Sequence, residues 1–462
     1  MPASNSKSSE SIAHKTIGIS SYHFWVFLVF AINLILFLFF LSVRGVAIRD
    51  FDDNCLYMYV RSAIIDGDLD FENEVALTPA AHPNLYRYAE THRTETGRIG
   101  NKYTIGYSLL ASPFFLIAHG LTLGLNAVGV SHWPADGYSF PYQLLVPLGL
   151  ILYAYAGMLL CMRLLSTWFE ESAAVWAVLA LWWGGNLIYY TVFAASWAHG
   201  PELFAVVAVL LISCRLDSFE QWRAWLGLGA MTGLAVLVRQ NAAVFALFPL
   251  AAWLRTARSE ARTGRRWLAP SLATGLCLAG GFVLVCIPQL LAWKSIYGRY
   301  LVYSYAEEGF DFISPNVLSS LFSAKSGLFA WHPIYLAATA GLLAFAWKYR
   351  NLMAAALVAV CALTVYINSS WWCWWFLGFG NRGYLLLFPV FAIGLAFALQ
   401  WLRSRGRAPA ILFLLVLIAW NMNLTALYGT GRLERTESLS LEKVLQEDRS
   451  LLSDPMSIFR RP

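Results

Sequence analysis

The sequence predicts an all-α, polytopic transmembrane helical bundle, and three observations predict it. Of 462 residues, 58% are hydrophobic and only 13% charged, against about 25% charged in soluble globular chains. Apolar runs of roughly 20 residues recur along the chain, the length that carries a helix across a bilayer. The alternating polarity of a β-barrel strand is absent. The net charge of +6 is modest, and its basic residues sit in short loops between apolar runs, so nothing points to nucleic acid. The seven cysteines (55, 161, 214, 277, 286, 361 and 373) show no CxxC or metal-type spacing, and packing is their reading. Cys55 and Cys373 lie in polar loops, where a pairing stays open.

Residues 1–22 are Ser-rich with two lysines and read as a cytoplasmic N-terminal segment. The run 23–43 is longer than the apolar core of a cleaved signal and reads as a retained first helix. Further spans are expected at 105–125, 142–166, 172–192, 196–214, 230–254, 268–292, 328–347, 352–368, 384–400 and 408–425, about eleven in all. The 224–254 segment is either one long tilted helix or two short ones broken near Arg239. Orientation follows from Lys and Arg in short loops. "LRTARSEARTGRRW" (254–267) has five arginines, and "WKYRN" (347–351) and "LRSRGR" (402–407) are also basic. Eleven spans place all three on the cytoplasmic side, leaving Arg163, Arg215 and Arg223 outside as exceptions. The same parity places loop 44–104, loop 293–327, residues 368–383 and the polar tail 426–462 on the outer face.

The first outer loop is the acidic one. "AIRDFDDNCLYMYVRSAIIDGDLDF" (47–71) holds six aspartates. Leu56, Tyr59, Val60, Ala63 and Ile64 recur at helical spacing, so 53–65 reads as an amphipathic helix lying at the membrane surface. Asp52 and Asp53 fall in its first turn. They would cap the helix, or hold a divalent cation together with Asp50, or serve as a base toward an attacking hydroxyl or amide. "DGDLD" reads as a solvated turn around Gly67. The remainder of the loop is polar, with His82, Arg87, His92, Arg93 and Arg98. It ends in Lys102 and Tyr103 at the mouth of the second span, where they would anchor the interface or grip a phosphate at headgroup depth.

The other outer loops are aromatic. Residues 289–333 carry Lys294, Arg299, Glu307, Glu308, Asp311 and Lys325, with five aromatics from Tyr297 to Phe310. They read as lying along the interface or covering a cleft. His332 precedes Pro333 at a helix head, a packing or capping position that leaves a site role open. "SSWWCWWFLGFGNRGYLLLFP" (369–389) has four tryptophans in five residues, an interfacial belt or a stacking surface for sugar rings. Its glycines permit close backbone approach. Asn381 and Arg382 follow, the arginine either snorkelling or presenting a fork of N–H donors to a phosphate. Within the apolar layer Arg239, His199 and Glu202 are costly to bury and must face a cavity or each other.

Taken in order, four stretches resemble the GT-C superfamily of membrane glycosyltransferases, near its protein-mannosyltransferase and aminoarabinose-transferase-like branch. They are "DD" (Asp52, Asp53) running into "DGDLD", "NKYTIGYSLLASPFF", "QLLAWKSIYG" leading through "FISPN" to "LFSAKSGLFAWHP", and "WW" leading to "GFGNRGYLLLFP". The resemblance covers most of residues 23–400. It implies a GT-C-like domain over 23–425 that uses a sugar on a polyprenyl-phosphate carrier at the non-cytoplasmic face. Asp52 then resembles the first-loop catalytic acid, Lys102 and Tyr103 the carrier-phosphate contacts, and Arg382 the arginine after the late outer loop. The family's acidic pair is often Asp-Glu. Here it is Asp-Asp, which leaves open which carboxylate acts, with Asp52 favoured.

The expectation is an inverting glycosyltransferase in a bacterial inner (plasma) membrane, with its site on the periplasmic side. No cofactor is assigned, and a divalent cation is the one candidate. Its partners would be a polyprenyl-phosphate sugar, membrane lipids and an acceptor that is a lipid, glycan or protein. No nucleotide-binding glycine loop is found, in keeping with a lipid donor. Two other classes remain: a flippase or transporter of lipid-linked sugars, though no inverted repeat is visible, and a glycan ligase or polymerase.

Overall fold

The computed structural model describes residues 23–78, 83–263, 267–376, 378–434 and 438–454. Segment 1–22, His82, Arg265, Arg266 and residues 455–462 lie outside them. Among the described residues the architecture is all-helical, with two isolated bridges, Arg93 to Ile99 and Phe310 to Trp371, in place of any sheet.

α1 (His23–Arg44) leads into the acidic loop, which is largely helical. It contains α2 (Phe51–Arg61), a π-turn over Ser62–Asp66, α3 (Glu72–Leu77) and α4 (Pro83–Thr91). α2 does not lie on a surface as its one-sided apolar pattern suggests. Every residue from Asp53 to Arg61 is buried. Leu56, Tyr57 and Val60 pack toward Tyr107, Phe115 and Tyr142, while Cys55, Met58 and Tyr59 pack under Phe71, Leu85 and Ile99 of the same loop. The loop thus brings its own cover for the second face.

The bundle continues through α5 (Gly106–Ala127), α6 (Phe140–Leu165), α7 (Glu171–Gly184), α8 (Leu187–Val192), α9 (His199–Arg215), α10 (Trp222–Val238), α11 (Leu247–Arg262) and α12 (Leu268–Tyr297). After the short α13 (Val317–Phe322) and α14 (Leu328–Trp331) come α15 (Ile334–Tyr349), α16 (Leu352–Ser370), α17 (Phe388–Arg403), α18 (Arg407–Gly429) and α19 (Leu441–Ser453). Seven helices among the described residues are long and apolar enough to cross a membrane. Length and apolarity alone therefore do not carry the expected eleven. The shortfall has local causes. The 172–192 run breaks at Gly185, in extended backbone. The 230–254 run breaks at Arg239, also extended (φ −152°, ψ 125°), and a 3₁₀ turn follows. α15 begins only after Pro333.

The segment Arg382–Arg403, which ends in α17, is the centre of the bundle, with 72% of its most apolar stretch buried, and α12 is at the rim, with 17%. Small residues let helices meet closely without a hydrophobic drive in lipid. A Cβ on Gly341 of α15 would stand 2.0 Å from the Gly394 carbonyl of α17. The tail is not loose: α18 runs past residue 425, and α19 folds back with Val444 buried and Arg432 paired to Glu447 at 2.9 Å.

Helix direction separates two ends of the molecule. α9 runs from His199 to Arg215, α15 from beside His332 to Lys348, and the 3₁₀-plus-α17 segment from Arg382 to Arg403. Arg255 of α11 donates to the carbonyls of Ser213 and Leu216 (3.0 and 2.6 Å), so this turn of α11 lies beside Arg215. The break at Arg239 is what brings Arg215 and Arg223 to the basic end, removing them as exceptions to the charge pattern. The opposite end collects Asp52, Arg239 and Arg382.

Candidate active site

Consecutive residues on a helix point about 100° apart, and α2 uses this to separate its two aspartates. Asp52 faces the cations. Its Oδ2 accepts from Arg382 Nη1 at 2.6 Å and its Oδ1 from the Tyr103 hydroxyl at 2.6 Å. Burial would raise this carboxyl; Arg382, Lys102 and the Tyr103 hydrogen bond outweigh it and hold it below its ordinary value. Burial and the Asp52 charge push the Tyr103 hydroxyl well above its own ordinary value, so it remains a donor.

Asp53 faces the other way and is fully buried. Its Oδ2 accepts from Ser196 Oγ at 2.5 Å and from the Arg49 amide at 3.1 Å, and Oδ1 has no hydrogen-bond partner. Burial, with Asp50 adding repulsion, drives this carboxyl well above its ordinary value. Neither aspartate caps α2 in the expected way: the N-cap, Asp50, makes no side-chain cap bond.

Arg382 is placed by the Gly378–Asn381 turn. Gly380 has φ +60°, and a Cβ there would stand 2.0 Å from His332 Nε2. His332 is fully buried and its Nδ1 meets Asn421 Oδ1 at 2.7 Å, so it lies beneath the arginine loop and supports it. Asn381 also faces inward, donating to Ser320 Oγ and the Trp374 carbonyl (3.2 and 3.0 Å). Both residues position the loop and do not reach the charge cluster. The Arg382 guanidinium carbon sits 4.3 Å over the Trp197 ring, and its Nε is buried without an acceptor.

Lys102 completes the near side. Its Nζ lies 3.0 Å from Glu308 Oε1, and Glu308 Oε2 accepts from Trp372 Nε1 at 3.2 Å. Lys102 also lies over the rings of Phe51, Tyr103 and Tyr305 at 5.3, 5.5 and 5.8 Å. A cavity of about 520 Å³ opens against this pair, lined by Tyr88, His92, Lys102, Tyr305, Glu308 and Trp372 among others.

The break at Arg239 supplies a third cation. Arg239 Nε is 3.4 Å from Glu202 Oε1, and its Nη1 contacts His199 at 3.1 Å. His199 in turn meets Glu202 Oε2 at 3.1 Å. Tyr305 sits among all these groups. Burial pushes its hydroxyl up to about 12, with Arg239, Asp52, Glu308 and Arg382 as its charged neighbours. The structure therefore gathers Asp52, Lys102, Tyr103, Arg239 and Arg382 and turns Asp53, Asn381 and His332 away. Tyr305, Glu308 and Trp197 are members that the sequence did not single out. The signal for Glu308 was an acid amid tyrosines in "YSYAEEGF".

The remaining acids of the loop have other partners. Buried Arg61 pairs with Asp66 and with Glu74 (2.8 Å to the latter) and donates to the Asp136 carbonyl at 3.0 Å. Asp66 is thus part of a buried clasp and not of a solvated turn. Gly67 does turn the chain, at φ +75°, and Asp68 accepts from Ser62 at 2.8 Å. Among the described residues no three His, Cys, Asp or Glu side chains gather to hold a metal ion. The seven cysteines form no disulfide among the described residues.

No protein-family model matches this chain, and no curated protein matches it. Solved structures do. The archaeal oligosaccharyltransferase AglB from Archaeoglobus fulgidus, in complex with an inhibitory peptide and a dolichol-phosphate, aligns over 90% of this chain and 56% of its own, at 12% identity and TM-score 0.49. ArnT from Cupriavidus metallidurans, bound to undecaprenyl phosphate, aligns over 89% of this chain and 65% of its own, at 15% identity and TM-score 0.48. This chain spans 56% and 65% of the lengths of these two structures.

Proposed function

We propose that this chain is an integral membrane glycosyltransferase that moves a sugar from a polyprenyl-phosphate carrier to a nucleophilic acceptor. The observation that carries the reading is the Asp52 carboxylate, held by Tyr103 and Arg382 with Lys102 beside it, and with Tyr305 between it and Arg239. One ionised acid ringed by fixed cations meets both needs of such a transfer. The carrier phosphate is already a good leaving group, so the site must neutralise the charge that develops on its oxygens. Lys102, Arg239 and Arg382 do this. Asp52 takes the proton from the acceptor as its oxygen or nitrogen attacks the anomeric carbon. A carboxylate oxygen has two lone-pair sites, so Asp52 can accept from the acceptor while Tyr103 and Arg382 hold it in place. Attack from the face opposite the phosphate inverts the anomeric centre. The positive-inside rule favours the cytoplasm for the end that carries Arg215, Arg255, Lys348 and Arg403. The site then belongs on the outer face, where a flipped lipid-linked sugar is presented.

Reconstitution with a labelled polyprenyl-phosphate sugar and a membrane extract as acceptor source tests the reading. Wild type should move label into an acceptor and release the carrier phosphate, and Asp52→Asn should not. Label that only changes leaflet in both proteins would make the chain a transporter. Transfer of whole glycans, with single sugars refused, would make it a ligase.

A further inference from the structure

The three cations of the site are matched by three carboxylates: Arg382 by Asp52, Arg239 by Glu202 and Lys102 by Glu308. A lipid phosphate entering this balanced set would add negative charge with no free cation to meet it. The three pairs differ in how fixed they are. Glu202 is 1% exposed, inside α9, and Asp52 is in the first turn of the buried α2. Glu308 is 27% exposed, stands on a loop between α12 and α13, and borders the 520 Å³ cavity. Two residues before it, Ala306 has φ +51°, a left-handed conformation that a residue with a Cβ seldom adopts. The loop is tied down near Glu308 by the Trp372 indole, by Ser304 Oγ on the Lys102 carbonyl (2.8 Å) and by the Trp372 amide on the Gly309 carbonyl (3.0 Å).

We propose that Glu308 is a resident counter-ion that occupies Lys102 until the phosphate of a membrane lipid displaces it, so that loop 298–311 swings aside to admit the donor. The inference rests on the glycosyltransferase reading, since it takes Lys102 as a phosphate ligand. Its exchange is simple: one carboxylate leaves the ammonium and one phosphate oxygen takes its place. Glu308 does not touch the reacting atoms. It sets how tightly the carrier is held and penalises anions that bring no apolar chain to offset the displacement.

Binding of a polyprenyl monophosphate to the detergent-solubilised full chain, read by tryptophan fluorescence, is the test. Neutral polyprenol and inorganic phosphate serve as controls. Glu308→Gln should bind the lipid phosphate about five- to tenfold more tightly, and adding Lys102→Met should erase that gain. Trp372→Phe, which loosens Glu308 and leaves Lys102 intact, should give a smaller gain, and it carries the test if the glutamine variant does not fold. Unchanged or weaker binding by these single variants, with wild type still preferring the phosphate to the alcohol, overturns the counter-ion role alone. Inorganic phosphate binding as tightly as the lipid overturns the lipid source. A wild type that does not distinguish lipid phosphate from polyprenol overturns both this inference and the glycosyltransferase reading.

Discussion

The acidic loop builds two arginine-and-acid clusters from similar parts, and they serve different ends. At one end of α2, Asp52 meets Arg382 from a segment 330 residues away, with Lys102 near and a cavity opening against Lys102. At the other end, Arg61 meets Asp66 and Glu74 within 13 residues. In the first, cations outweigh burial and Asp52 is held below its ordinary value. In the second, burial wins and Glu74 is pushed up to about 7. Composition does not decide which cluster can do chemistry. The ratio of fixed cations to carboxylates does.

The largest break in that comparison is Asp52→Asn. Removing a positioned base costs about 10²- to 10⁴-fold in rate, so turnover of the lipid-linked sugar should fall by that factor while the thermal midpoint in detergent moves little. Loss of fold in place of activity would make Asp52 another structural clasp. Arg61→Ala should do the reverse. Its side chain is 6% exposed and Glu74 is fully buried. Removing one partner of a buried pair costs about 3–5 kcal/mol. The midpoint should drop sharply, and the surviving folded fraction should keep its turnover and its affinity for lipid phosphate. Selective loss of that affinity would place Arg61 in the site.

The two clusters were unequally legible in the sequence. Asp52, Lys102, Tyr103 and Arg382 stand where apolar runs end, and polarity at such ends is conspicuous. Glu308 stands in a loop already rich in charge, and its partner Lys102 is 206 residues away. Spacing cannot reveal such a pair. The clasp was misread for the same reason, because "DGDLD" looks solvated until Arg61 is seen turned back on Asp66. Hydropathy averages over about 19 residues, and so it passes over single-residue breaks. Gly185 was absorbed into a longer span on that account, whereas a break near Arg239 was one of the two readings of 224–254, and it is there that the chain places its third cation. The burial of α2 was hidden because its second face is covered by residues of the same polar loop, Phe71, Leu85 and Ile99.

Glu74 sharpens the contrast through pH. Its folded-state value of about 7 lies above the ordinary 4.5, so the folded protein holds a proton that the unfolded chain releases first. Its contribution to stability is full below about 4.5 and is lost as pH rises through about 7. The displacement, in which the Arg61 attraction is already included, corresponds to about 3 kcal/mol at most. Glu74→Gln fixes the protonated shape. The variant's thermal midpoint should match wild type near pH 5 and exceed it near pH 8. A glutamine variant that is less stable at pH 8 would mean that the ionised pair with Arg61, and not the buried proton, holds the clasp.

Asp53→Asn is the smallest and the most discriminating change. Asp53 adjoins Asp52 in sequence, and the family resemblance leaves open which of the two is the base. Their surroundings differ in the property that matters. Asp53 accepts from Ser196 and the Arg49 amide, has no guanidinium on it, and is driven by burial toward its neutral form. Asparagine resembles a protonated aspartate in shape, keeps one acceptor oxygen for the Ser196 hydroxyl, and adds no charge. Turnover by Asp53→Asn should therefore stay within about threefold of wild type, a difference of less than 1 kcal/mol, and its pH–rate profile should keep the same acidic limb. A loss comparable to that of Asp52→Asn would mean that Asp53 is ionised when the substrate is bound. The proton would then leave the acceptor on the Ser196 side of α2, away from Arg382, and the cation-ringed carboxylate would be the structural one.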